Sequence, residues 1–282
     1  MGCSFTEGVG CWDYSKFPDK VKEKISNWKS NDPIFSDGFM DEIDDRLHYK
    51  SFHEKGWPNK VGKILGFDKV INYGVDGDSN SAQAKRFYEK HFDKQLYNEW
   101  DVTVVWLLTF SSRISFYMGN SHRNYQFQDK SASVEGDELV EFYFRDLMEA
   151  NNDIDGVDRN MSMETIYSFN TVESLCKLNN YKIVGLFFTD NDCESIKNTY
   201  KGSSILPFNV MIFPNRPPLY SFTQSNLNSI ICGHPNEEGY KLIAKNISSI
   251  LINNLKMKVN TYKPKLFEWE YMGDVEHIQY ER

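Results

Sequence analysis

Four short runs rich in Val, Ile, Leu and Phe stand out from an otherwise polar chain: Lys69 to Tyr73, Val102 to Thr109, Lys182 to Phe188 and Phe208 to Phe213. Each is followed by turn or loop residues. Apolar runs of this length, without strict alternation, predict strands buried on both faces, as in a parallel sheet. Between them the period becomes helical. Ser79 and Asn80 predict caps for a helix running to about Gln95. Asp137 predicts the cap of one reaching Met148, with Leu139, Val140, Phe142, Tyr143, Phe144 and Leu147 mostly inside. The last helix is the clearest. After Pro235 and Asn236, Glu237 and Glu238 suit a positive helix end, and Tyr240, Ile243, Ala244, Ile247 and Leu251 recur at helical spacing. Strands alternating with helices predict a three-layer α/β/α sandwich around a parallel sheet.

Two stretches break this rhythm. Cys11 to Lys55 is aromatic and charged, and Ser115 to Glu135 is polar and aromatic; both read as excursions with room for short helices, and either could serve as a lid. The stretch from Lys256 to Arg282 is charged, with Trp269, Tyr271 and Tyr280, and is expected on the surface as an extension of a main domain spanning residues 1–255. No repeat or low-complexity segment is visible.

Composition narrows the partners. The 282 residues include 32 Lys+Arg against 40 Asp+Glu, a net charge of −8, and no sustained basic run, which argues against a general nucleic-acid binder. No stretch approaches the roughly 20 apolar residues of a membrane span, and no basic-then-apolar leader opens the chain, so a cytoplasmic location is expected. Cys3, Cys11, Cys176, Cys193 and Cys232 are an odd number without zinc-site spacing, which favours free thiols. The six histidines show no HExxH pattern, so neither a metal nor another cofactor is expected.

Ligands gather at the carboxyl ends of strands in a parallel sheet, and four such places carry chemistry. Gly2-Cys3-Ser4-Phe5-Thr6-Glu7-Gly8 holds a serine among glycines, where a hydroxyl and its own backbone N–H can face one space. Taken alone it reads first as a Gly/Ser turn. Gly74-Val75-Asp76-Gly77-Asp78-Ser79-Asn80 offers the Gly77 N–H to an oxyanion, or is a capped strand-to-helix loop. Its two aspartates and the absence of GxGxxG speak against a nucleotide cradle. Leu108-Thr109-Phe110-Ser111-Ser112-Arg113 offers Thr109 as a hydroxyl donor and Arg113 for a substrate carboxylate or a structural ion pair. Finally, Cys232-Gly233-His234-Pro235-Asn236 puts a histidine just before the last helix.

In this order the four blocks resemble the SGNH (GDSL-type) hydrolase superfamily. GCSFTEG is similar to its GDSxxxG block, with Cys3 for Asp and Ser4 on the nucleophile position. Trp57-Pro58, Val61 to Gly66, Val70 to Gly74 and Gly77 to Asn80 resemble the approach to the second block, with Gly77 as oxyanion glycine. HPNEEGYKLIA resembles the last, with His234 as base. The resemblance implies a flavodoxin-like sandwich that hydrolyses small-molecule esters or deacylates carbohydrates and lipids without a cofactor. Ser4, Gly77 and Thr109 would supply the oxyanion donors, with Asn80 and Arg113 in support.

Three departures accompany it. LLTFSSR stands where the family has GxND, making Thr109 the nearest donor. Ile231 stands where the Asp partner of the histidine belongs, so a backbone carbonyl or an acid such as Asp190 or Asp192 must substitute. Only Met1, Gly2 and Cys3 precede Ser4, too few for the family's first strand, which is expected to be lost or encoded upstream. The same departures motivate the competing expectation, an inactive SGNH-like module that binds a glycan or a protein partner.

Overall fold

A computed structural model describes residues 4–29, 42–75, 78–89, 101–109, 113–118, 121–126, 154–187, 196, 200, 202–209, 227, 229, 231–232 and 234–255. They form a mixed α/β structure in two compact units, one drawn from Gly77–Asn209 and the other from Ser4–Asp76 with Val210–Arg282.

The first unit holds the parallel sheet. Strands β1 (Thr103–Leu108) and β4 (Lys182–Phe187) pair in continuous register from Thr103↔Lys182 to Leu108↔Phe187. The outer strand β5 (Ile205–Asn209) pairs with β4 through Gly185↔Ile205 and Phe187↔Asn209, with an irregularity between. Trp106, Leu107, Leu108, Val184 and Leu186 are all buried, as apolar runs on a covered sheet should be. Helix α5 (Asn80–Phe87) starts where Ser79 Oγ accepts from Ala82 N at 3.1 Å. Helix α6 (Ile154–Leu178) is 25 residues long and buries Ile166, Phe169, Val172 and Cys176 on one stripe. Phe169 stacks on Trp106 with ring centroids 5.6 Å apart.

Polar side chains join these elements. Trp106 Nε1 donates to Gln83 Oε1 at 2.6 Å. Asp78, fully buried, pairs with Arg86 one helical face away. Asn80 clasps the end of β1 from both sides: its Nδ2 donates to Thr109 O (3.1 Å) and Thr165 Oγ1 (3.0 Å), while Thr109 N donates to its Oδ1 (3.0 Å). Asn80→Ala strips three buried bonds at once and is expected to lower stability by about 2 to 3 kcal/mol, read as a shift of the urea midpoint.

The second unit is helical where it is described. It contains α1 (Ser4–Glu7), α2 (Asp19–Asn27), α3 (Tyr49–Lys55), α4 (Trp57–Leu65) and the 19-residue α7 (Glu237–Leu255). Helices α4 and α7 pack together, burying Trp57, Val61 and Leu65 with Tyr240, Ile243, Ala244, Ile247 and Leu251. Asn236 caps α7 by accepting from Glu238 N (3.0 Å) and Gly239 N (3.1 Å).

Four expectations change. Among the described residues Lys69 to Tyr73 forms no β ladder; it lies beside α1, a helical turn, which gives it no extended partner. The Asn72 side chain does the pairing instead, donating to Thr6 O at 2.8 Å and accepting from Gly74 N at 2.9 Å. The described part of the stretch from Cys11 contributes to the core: Trp12, Phe17, Val21 and Phe52 are buried, with Trp12 against Phe17, His48 and Phe52 at 5.0 to 5.8 Å. In the second excursion, β2 (Arg113–Met118) and β3 (Ser121–Gln126) pair as an antiparallel hairpin. The fourth strand is shifted, with β5 beginning at Ile205. The helix expected over Asp137 to Met148, the part of the α5 segment near Gln95, and residues 256–282 lie outside the described residues.

Candidate functional site

Ser4 and His234 belong to the same unit, and the loop that follows α1 meets the turn that holds His234 at Gly10. Ser4 is the first residue of α1, so its backbone N–H has no partner within that helix. The helix ends after one turn because Gly8 (φ +102°) and Gly10 (φ +108°) both take left-handed backbone that other residues adopt only under strain. Both are also tight. A Cβ on Gly8 would strike the Phe52 carbonyl, and one on Gly10 would strike Pro235 O and come within 3.1 Å of His234 Cβ. The loop leaving the serine helix therefore runs directly against the histidine turn.

Further bonds hold that contact. Tyr240 OH, on α7, donates to Val9 O at 2.8 Å. Trp12 Nε1 donates to Cys232 Sγ at 3.4 Å. The turn before α7 is closed by Ser229 N to His234 O and Asn236 N to Leu227 O, both 2.8 Å, and Lys60 on α4 pairs with Glu237 at 3.3 Å.

His234 is partly buried, and its Nδ1 lies 3.2 Å from the carbonyl oxygen of Cys232. A carbonyl only accepts, so the bond requires the proton on Nδ1 and makes Nε2 the basic nitrogen. The sulfur beside it is unusual. Burial pushes the Cys232 thiol up, but the charge and hydrogen bond of the His234 side chain, the Trp12 N–H and the His234 backbone N–H outweigh it, and the net direction is down. Cys11, buried nearby without such donors, is pushed up to about 12.

A second histidine is linked to α1 through Asn72. His53 Nδ1 accepts from Asn72 Nδ2 at 3.1 Å, on the same amide that holds Thr6 O, and burial pulls its pKa down to about 4. The depressed folded value means that protonation favours the unfolded chain. His53 thus contributes stability above its unfolded pKa near 6.5 that is lost as pH falls from there toward 4, by up to about 3 kcal/mol. Urea midpoints measured across that window should show this slope in the wild type and a flatter one in His53→Gln.

The remaining sequence candidates belong to the first unit or lie outside the described residues. Thr109 and Asn80 are in the first unit, where Asn80 is fully engaged in holding Thr109 and Thr165. Thr109 Oγ1 is buried without a hydrogen-bond partner among the described residues. Arg113 opens β2, opposite Gln126. Gly77, Asp190 and Asp192 lie outside the described residues. Sequence reasoning placed Trp12 in an aromatic stretch that could stack on sugars or pack locally, and did not link it to Cys232, 220 residues away. Cys11, Cys176 and Cys232 are free thiols. Among the described residues no helix is long and apolar enough to cross a membrane, and no three His, Cys, Asp or Glu side chains gather as metal ligands. Comparison with family models, with curated proteins and with solved structures gives no match.

Proposed function

We propose that this chain is a serine-dependent ester hydrolase, or a deacylase of acylated carbohydrates or lipids, of the SGNH type on an α/β/α sandwich. The observation that carries the reading is the His234 ring held through Nδ1 by the Cys232 carbonyl, in the unit that also presents Ser4. In this scheme Nε2 of His234 takes the Ser4 proton while Ser4 Oγ bonds to the ester carbonyl carbon, whose π pair moves onto oxygen. The Ser4 N–H meets that oxyanion, the departing alcohol takes the proton from Nε2, and water repeats the cycle on the acyl-enzyme. The further donors implied by the resemblance, Gly77 and Thr109, belong to the other unit, and the reading stands on Ser4 and His234 alone.

The test is a fluorophosphonate probe on the full chain, with the labelled residue identified by mass, beside turnover of p-nitrophenyl acetate. A label on Ser4 with turnover supports the hydrolase. Neither label nor turnover refutes it, and a glycan or protein ligand retained by Ser4→Ala would then assign the chain to binding.

A further inference from the structure

We propose that Trp12 is a positioning residue for His234, acting through Cys232: its indole N–H fixes the residue whose backbone carbonyl holds His234 Nδ1. The inference deepens the hydrolase reading and rests on it. Two bonds meet at Cys232. Trp12 Nε1 donates to its sulfur at 3.4 Å, and its carbonyl oxygen lies 3.2 Å from His234 Nδ1. Ile231 stands where a carboxylate would orient the ring, so that carbonyl is the acceptor on which the basicity of Nε2 depends.

The carbonyl bond has little slack. At 3.2 Å it stands at the long end of the N–H···O range, and a drift of about 0.4 Å would end it. Bonds inside the turn act at Ser229, Ile231, His234 and Asn236, whereas Trp12 grips residue 232 itself from a distant part of the chain. The grip is rigid. Trp12 is 4% exposed, and its ring meets His48 and Phe52 edge-on, both with centroids 5.0 Å away. Before it Gly10 abuts His234 and Pro235, and after it Asp13 N donates to His48 Nδ1 at 3.1 Å, so the loop is pinned on both sides of the indole.

Packing alone explains the burial of Trp12 but not the use of its polar edge. A thiol sulfur is a weak acceptor, so the indole bond contributes about 1 kcal/mol or less to stability. Its larger consequence is angular. The side chain and the carbonyl of Cys232 leave one Cα, so a sulfur held in place limits how far the carbonyl can swing. With the carbonyl turned away, the Nδ1 proton loses its acceptor and the neutral ring can carry its proton on Nε2, the nitrogen that must stay open to take the Ser4 proton. A fully wrong tautomer costs a serine triad about 10⁴-fold in kcat, and the partial loss expected here is about tenfold. Because the base acts in the transition state and not in substrate binding, kcat falls while KM stays.

The experiment reads the His234 tautomer by NMR of its ring nitrogens at about pH 8, where an ordinary imidazole is neutral, with kcat and KM for p-nitrophenyl acetate. The full chain is compared with Trp12→Phe, which keeps an aromatic ring and removes the donor, and with Cys232→Ala, which keeps the carbonyl and removes the sulfur. Each should shift His234 toward the Nε2–H form and lower kcat about tenfold at unchanged KM, and the double variant should lose no more than either. Cys232→Ser, which returns an acceptor, should recover most of the loss. Val21→Ala, a core truncation on α2, should lower the urea midpoint and leave tautomer and kcat in place, which separates positioning from stability. An unmoved tautomer, or losses that multiply in the double variant, overturns the proposal. Should Trp12→Phe fail to fold, Cys232→Ala against Cys232→Ser decides, and equal values overturn it. Turnover indifferent to Ser4→Ala refutes the hydrolase reading and the role with it, whereas Ser4-dependent turnover with an unmoved tautomer refutes the role alone.

Discussion

Ser4→Ala is expected to abolish fluorophosphonate labelling and to lower kcat for p-nitrophenyl acetate by about 10⁴-fold or more. Alanine is a good helix former, so α1 should survive the change and the urea midpoint should barely move. The nucleophile and its base act on one proton, which makes their losses non-additive. His234→Ala should cost about as much as Ser4→Ala, and the double variant little more than either. Independent multiplication of the two effects would show that the residues do not share a reaction.

Gly10→Ala is expected to destabilise the second unit strongly. At φ +108° an alanine is strained, and its Cβ would be driven into Pro235 O and against His234 Cβ. Strain of about 1 to 3 kcal/mol adds to an overpacking cost of similar size, giving about 4 kcal/mol in all. Urea unfolding followed by Trp fluorescence measures it, since Trp12 sits two residues away in the same loop. Whatever fraction stays folded should also lose turnover, because the clash is with the histidine turn itself. Retention of wild-type stability would mean that Gly10 does not meet His234 as described.

Elements whose pattern is local were legible from composition and spacing. The β1 and β4 runs, the Ser79 cap and the buried face of α7 each need only a few consecutive residues to declare themselves. Helix α6 was missed because its apolar stripe, Ile166, Phe169, Val172 and Cys176, is sparse and interrupted by Thr, Ser, Asn and Glu. The segment around Asn72 looked like a strand because Val70 and Ile71 suit one, while a single amide side chain decided its partner. The aromatic stretch from Cys11 looked peripheral for the same reason: Trp12 and Phe17 reveal burial only once His48, Phe52 and Cys232 arrive from distant parts of the chain. At the candidate site, Ser4 and His234 were legible as motif positions. The tautomer-setting carbonyl and the indole donor were not, being products of how one turn meets one loop.

The second unit is assembled from two segments distant in sequence, Ser4–Asp76 and Val210–Arg282, with the whole of Gly77–Asn209 between them. During synthesis the ribosome therefore finishes the sheet-bearing middle before Trp12 can meet Cys232, 220 positions downstream. At ordinary elongation rates of about 5 to 20 residues per second, that wait is about 10 to 45 s. For that interval the nascent amino-terminal segment carries Trp12, Phe17 and Phe52 with no finished core to receive them. Chaperone capture should concentrate there, and premature termination before Leu227 should leave a product in which Ser4–Asp76 lacks α7 to pack against.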